Sequence, residues 1–308
     1  MDYEHHSLTD MARRRRKKKH FLLFTFVTFF RIGKKYPRVS VLTLLPLVGG
    51  YSHEVLLARP DMAYQGVPQT QVWYQPLTWS RVFRNDGFMV GYSDIRGNPL
   101  WVIYQVTSIK DNARIHKRPQ TFSTDWRSLT RISHQDYTRS GFDRGHMAPN
   151  YAISRLYGKQ AQLDTFLMTN ITPQRSNLNQ KVWQRLEAVE VDYFPILHRH
   201  VWVITGPVFS NPLNRLKSSW KVEVPEAFYK IYAAETGSGI KMLAFLIPQT
   251  VRGNEPLTDF IVSVDTIEKL TGLDFFHELD DPLEDKLEAA INPKPWKLNS
   301  VARLPSRY

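Results

Sequence analysis

Two runs of aromatic and β-branched residues, "GFMVGYS" and "LWVIYQVT", are separated only by "DIRGNP". No other feature constrains the fold as much. Such residues favour a pleated, half-buried surface, and Gly and Pro in the six-residue link exclude a continuous helix. The segment predicts a β-hairpin. Three later runs, "VWVITGPVF", "FYKIYAAE" and "MLAFLIP", predict further strands, with Gly237 to Gly239 turning between the last two. "TFLMTNITPQ" predicts another strand that leads into a loop, and Ser108 to Ser140 reads as charged surface loops. Helical spacing appears in "LNQKVWQRLEAVEVDYFPIL", where Val182, Leu186, Val189 and Tyr193 would form one buried face. "SVDTIEKLTGL" has a capping Ser or Asp and a terminal Gly. Strands in hairpins with a few helices between them indicate an α+β fold with a largely antiparallel sheet.

The 308 residues are 42% hydrophobic and 13% aromatic, enough for a large core, which rules out global disorder. There is no cysteine, which excludes disulfides, Cys-ligated zinc and thiol catalysis. The net charge of +12 is unevenly distributed. Residues 1–38 carry eleven Lys/Arg against three acids, a net +8, which leaves only +4 for the rest. Bulk charge is therefore weak support for a polyanionic partner.

"RRRRKKK" precedes "HFLLFTFVTFF", and "VSVLTLLPLVGG" follows shortly after. Neither apolar run reaches the roughly 20 residues of a spanning helix. Either the first run anchors the chain to a membrane, or the second belongs to a secretory signal cut near Gly49-Gly50. A third reading is a basic tail with an apolar segment packed on the domain. The first two place the functional domain outside the cytoplasm, membrane-anchored or secreted. The organisation expected is a signal or anchor over 1–50, a linker or lead-in over 51–80, a catalytic domain over 81–292 and a surface-running tail over 293–308.

"SGFDRGHMAPN", residues 140–150, is too polar for a buried strand and too punctuated for a helix. It reads as a strand end turning into a loop with His146 at its tip. Arg144 supplies a permanent cation suited to phosphate. A cation there would also keep the imidazole neutral, as a general base requires. Gly145 would let backbone approach a ligand, and Asp143 would brace the loop. A second constellation, "MTNITPQRSNLNQKVWQRLE", carries Asn170, Asn177 and Asn179 and then Glu187. Asn179 and Glu187 lie roughly 12 Å apart along a helix axis, too far to share one metal directly. One amide oxygen with a carboxylate acting through water suits a hydrated hard cation such as Mg²⁺. No His/His or Cys/His spacing favours zinc. The residues alone do not choose between Asn177 and Asn179.

"DRGHMAPN" with "TNITPQRSNLNQKVWQRLE" resembles the DNA/RNA non-specific endonuclease family, which includes secreted sugar-non-specific bacterial nucleases and mitochondrial endonuclease G. "RNDGFMVGYSDIRGNPLWVIYQVT", "VWVITGPVF" and "VSVDTIEKLTGLDFF" extend the resemblance in the same order over roughly residues 80–280. The resemblance implies a ββα-metal (His-Me finger) nuclease. By similarity His146 is the general base, Asn179 the direct Mg²⁺ ligand and Glu187 a carboxylate holding metal-bound water. Asn170 would be a supporting amide and Arg144 a stabiliser of the transition state. Mn²⁺ is the expected substitute metal, and 5′-phosphates the expected products. Family members usually carry an arginine one helical turn beyond the glutamate; here that position is Val191. An upstream arginine is also expected, and among Arg114, Arg118 and Arg127 we take Arg118. Arg118 and Arg175 are the candidate substrate contacts, Arg175 belonging to a local cluster with Arg139, Arg144 and Arg155.

The activity expected is Mg²⁺-dependent hydrolysis of DNA and RNA without base preference, since a site that grips phosphate and sugar need not read base edges. Competing readings are a phosphodiesterase for another polyanion or a phospholipid, and an inactive nuclease fold that only binds nucleic acid. Retention of His146 and Asn179 argues against the inactive module. The sequence permits a homodimer and membrane attachment through the N-terminus.

Overall fold

The computed structural model of the chain describes residues 48–210 and 213–305, together with Lys35, Leu45 and Pro46. The basic cluster and "HFLLFTFVTFF" therefore lie outside the described residues. No helix among the described residues is long and apolar enough to cross a membrane. The chain divides into two units, Met1–Ala58 and Arg59–Tyr308. What is described of the first is mainly helical and ends in a π-helical turn, Glu54–Ala58, with no buried residue.

The second unit is built on strands. In chain order these are Gln69–Thr70 (β1), Arg81–Asn85 (β2), Phe88–Ser93 (β3), Asn98–Thr107 (β4), Asp143–His146 (β5), Ile171–Gln174 (β6) and His200–Val208 (β7). Arg215–Leu216 (β8), Ser219–Glu223 (β9), Ala227–Thr236 (β10), Gly239–Pro248 (β11), Ile261–Val262 (β12) and Leu273–Asp274 (β13) follow. Seven of them form one sheet in the order β12-β11-β10-β7-β4-β3-β2, with every pair antiparallel. The predicted hairpin is β3–β4, and the three later apolar runs are β7, β10 and β11. At the β3–β4 pairing Gly91 faces Trp101. A Cβ on Gly91 would fall 2.0 Å from the indole, so the ring takes the space a side chain would fill.

Alternation along the strands splits the core in two. Val90, Tyr92, Val102, Tyr104, Phe228 and Tyr232 point into one cluster, and Met89, Trp101, Ile103, Tyr229 and Ile231 into the other. Both faces are covered, so the central strands read as unbroken apolar runs. The first face carries β5 and β6, an antiparallel pair outside the main sheet. Between them lie helices Asn150–Tyr157 (α1) and Lys159–Thr165 (α2). Beyond them a π-helical turn, Leu178–Trp183, runs into Gln184–Asp192 (α3) and then Phe194–His198 (α4). Two strands and this helix make a ββα unit, pressed on the sheet through Ile171, Leu178, Val182, Leu186 and Val189. The second face carries Val264–Thr271 (α5) and Asp281–Glu288 (α6), packed through Val264, Ile267 and Leu287. Ser263 caps α5 by accepting from the Thr266 N–H, and Gly272 at φ 68° ends it.

The chain departs from the sequence reading at three places. Tyr193 is 39% exposed instead of completing the face begun by Val182. It ends α3, and Pro195 starts a new helix, so the helical phase does not carry through. Residues 59–80 belong to the strand-built unit, where Tyr64 is buried and β1 pairs with β13. The C-terminal segment, expected on the surface, instead buries Trp296, Leu298, Val301 and Ala302 in the first core cluster. Trp296 packs edge-on against Phe194 at 4.9 Å and His198 at 4.4 Å between ring centroids. Burying that one large ring outweighs the local Pro-rich signal.

Candidate active site

Strand β5 ends on His146, opposite Ile171 of β6. Gly145 is required there, because a Cβ would lie 2.0 Å from Gln174 Oε1. Its role is to admit the buried Gln174 side chain from the partner strand rather than a ligand. The loop after His146 is braced by Asn170, which is fully buried. Its Oδ1 accepts from the Ala148 N–H at 2.8 Å, and its Nδ2 donates to the carbonyls of Ala148 and Thr165. With both ends of the amide engaged by backbone, Asn170 positions the His146 loop.

The π-helical turn and α3 bring their side chains to the same place. A cavity of about 810 Å³ is lined by Arg118, Arg144, His146, Asn179 and Glu187, among others. Over eight residues an ideal α-helix overshoots by about 80°. The wider i→i+5 turn takes up part of that drift, and Asn179 and Glu187 both reach the cavity. Asp143 fixes the asparagine: Asn179 Nδ2 donates to Asp143 Oδ2 at 3.0 Å. Gln180 Nε2 donates to the same oxygen at 2.8 Å, and Ser176 Oγ to the other at 3.1 Å. The amide is therefore held by its nitrogen, and Oδ1 is left as the acceptor. Asp143, expected to brace the loop, orients a candidate ligand.

His146 is half-buried between two rings, Phe166 at 5.0 Å edge-on and Phe122 at 5.5 Å. Its Nε2 has no hydrogen-bond partner among the described residues. Burial first, and the Arg118 guanidinium second, push the imidazole down to about 3. The cation acting on His146 is thus Arg118, not Arg144 as its neighbourhood in sequence suggested. Arg118 lies over the Phe166 ring at 5.3 Å. Arg144 donates to the His134 carbonyl at 3.0 Å, and after burial it is the second cause lowering His134.

Of the candidate residues, the structure gathers His146, Arg144, Arg118, Asn179 and Glu187 at one cavity. It does not bring Arg175 there: that guanidinium lies 5.8 Å from the Phe142 ring. Arg139 and Arg155 also lie outside the lining, so Arg144 alone of the expected arginine cluster belongs to it. Arg127, one alternative to Arg118, is committed to Asp125 and Asn85, each at 2.7 Å. Sequence reasoning missed Gln180, Lys181 and Arg185 on the cavity. Of these only Gln180, seven residues before Glu187, shares its side of a regular helix; Lys181 and Arg185 fall on other sides, and no sequence signal places them on the cavity. Val191 lines the cavity as well, so the departure noted there falls at the site itself.

The oxygen donors fit a hydrated hard cation: an oriented amide oxygen and a carboxylate farther along the helix, with no second histidine beside His146 among the described residues of the lining to make a zinc set.

The family model of the DNA/RNA non-specific endonucleases matches residues 76–282. Bovine endonuclease G is 33% identical over 252 residues, 77% of this chain and 82% of that protein. The mitochondrial nuclease of Saccharomyces cerevisiae is 30% identical, covering 67% of this chain and 68% of its own. Human mitochondrial nuclease EXOG is also 30% identical; the match spans 67% of this chain but 59% of that relative. A chain of the solved EndoG/EndoGI complex superposes with a TM-score of 0.60 over 72% of this chain and 92% of its own, at 24% identity. The last comparison establishes the shared ββα-metal nuclease fold, with its large antiparallel sheet. With a family model matched over two thirds of its length, the chain belongs to the DNA/RNA non-specific endonuclease family.

Proposed function

We propose that this protein hydrolyses phosphodiester bonds of both DNA and RNA without base preference, using Mg²⁺, with Mn²⁺ as a substitute, and leaving 5′-phosphates. The observation that carries the proposal is the convergence of His146, Asn179 and Glu187 with Arg118 and Arg144 on one cavity. His146 is neutral at physiological pH, so its lone pair is available to take a proton from the attacking water. Arg118 and Arg144 present permanent charge to the phosphate. Asn179 would hold the metal through Oδ1, and Glu187 would act on it through water. The bound cation would neutralise charge on the phosphate and ease departure of the 3′ oxygen. Asn170 acts through the His146 loop and does not touch substrate. The catalytic domain is taken as residues 81–292. An organellar or extracytoplasmic setting is supported by mitochondrial relatives, and substrate is the only partner the site itself calls for.

The test is cleavage of plasmid DNA and of RNA by the full chain with Mg²⁺, with EDTA, and in His146→Ala and Asn179→Ala. Both substrates should be cut, cleavage should stop with chelator, and either variant should lose about 10²-fold or more. Folded wild type that binds DNA but cuts neither substrate would instead identify an inactive binding module.

A further inference from the structure

On the sheet face opposite the ββα unit, helices α5 and α6 bring three carboxylates together. One oxygen each of Asp265, Glu268 and Glu288 lie within 4.8 Å of one another. None of these residues lines the catalytic cavity. Glu288 is only 4% exposed, and its Oε1 has no hydrogen-bond partner among the described residues. A buried carboxylate oxygen with no donor costs far more than the same group in water. The surroundings do not compensate. Asp274 and Glu284 add further negative charge, and no Lys, Arg or His pairs with any of the three among the described residues. Two groups act in the other direction: His277, which lowers Glu284, and the Phe275 N–H, which donates to Glu268 Oε1 at 2.7 Å. Burial first, and then the neighbouring carboxylates, push Glu288 up to about 9; burial, opposed by the Phe275 N–H and aided by Asp274, puts Glu268 at about 7.

We infer that Asp265, Glu268 and Glu288 form a second cation site, separate from the catalytic one, that takes a divalent ion of calcium's character and clamps α5 to α6. Carboxylates from two helices give an irregular all-oxygen set. Calcium accepts such a set with six to eight ligands, whereas magnesium requires a near-ideal octahedron. Like charges at i,i+3 on α5 oppose folding when bare, so the ion would stabilise the fold rather than take part in cleavage.

The test uses the full chain, melted thermally in EDTA and in rising CaCl₂ at a pH above neutral. Calcium should raise Tm saturably by about 3 °C or more. The rise should persist in Asn179→Ala, which separates it from binding at the catalytic site. It should disappear in Glu288→Gln and shrink in Asp265→Asn. Asp265 is exposed, so its substitution leaves the core intact even if Glu288→Gln folds poorly. Equilibrium dialysis should show one calcium fewer bound in Asp265→Asn than in wild type. An equal response in wild type and both variants would overturn the proposal. So would no response in wild type with Glu288→Gln simply more stable, for then the carboxylates share protons and not a cation.

Discussion

At the scale of single residues, the site depends on how two side chains are prepared. An ordinary imidazole titrates near 6.5, and His146 is pushed down to about 3. The base form is the neutral one, so cleavage should be lost only as pH falls through the lowered value. The acid limb of kcat/KM should therefore lie well below 6.5. Arg118→Ala should move that limb upward, though by less than the full shift, because burial is the larger cause. Arg144→Ala should leave it in place, since its charge acts on His134. A wild-type limb at the ordinary imidazole value would refute this account. The same shift bears on stability. Between about pH 6.5 and 3 the unfolded chain binds a proton at this histidine that the folded one does not, so its contribution falls as pH drops through that window. The second prepared side chain is Asn179. Asp143→Ala should free its amide to rotate and weaken Mg²⁺ affinity about 10- to 100-fold. Cleavage should recover at saturating metal, which a magnesium titration would show. Asn179 itself was readable only by resemblance, because Asn177 and Asn179, two residues apart, look alike until the fold shows which amide Asp143 holds.

At the scale of elements, the ββα unit depends on a close approach that leaves no room for a methyl group. Gly145→Ala would drive a Cβ into Gln174, splaying β5 from β6 just before His146. It should destabilise the protein by about 1–3 kcal/mol, seen as a lower urea midpoint. Gln174→Ala in the same chain should return part of that loss, with a coupling above about 0.5 kcal/mol in the double-mutant cycle. Strict additivity would mean that the strands tolerate the added atom. Hairpins, the main helix and the end of β5 were legible because each rests on local rules of period and capping. Three elements were not. The π-helical turn depends on a register that no local propensity encodes, and α1 and α2 lay in a stretch noted only for its motifs. Arg118 illustrates the limit of reading by neighbourhood. It lies 28 positions before His146, and only folding places its charge on that ring.

At the scale of the whole molecule, the catalytic helix is tied to the sheet by a network with no access to water. Glu190 on α3 and Lys230 on β10 are both fully buried, 2.5 Å apart. Tyr104 on β4 and Tyr232 on β10 also donate to the Glu190 carboxylate, at 2.8 and 3.0 Å, and Lys230 donates to the Tyr104 hydroxyl at 3.0 Å. Glu187 stands one turn earlier on the same helix, so the network fixes the helix that presents the candidate metal-site residue. Composition hid it: Lys230 reads as a surface residue in an apolar run, and its partner is 40 positions away. Such a pair is weak grounds for claiming net stability, because removing two charges from water is costly. Breaking it is a different matter. Lys230→Met should cost about 3–5 kcal/mol by leaving an uncompensated carboxylate in the core. Adding Glu190→Gln should recover much of that, since a neutral amide can accept from one phenol through its oxygen and donate to the other hydroxyl through its nitrogen. Urea unfolding of the two variants decides the question: if the double variant is no more stable than Lys230→Met, the loss is one of packing. If it recovers, and full cleavage then needs more Mg²⁺ than in wild type, the charge at Glu190 serves chiefly to hold Glu187 against the cavity.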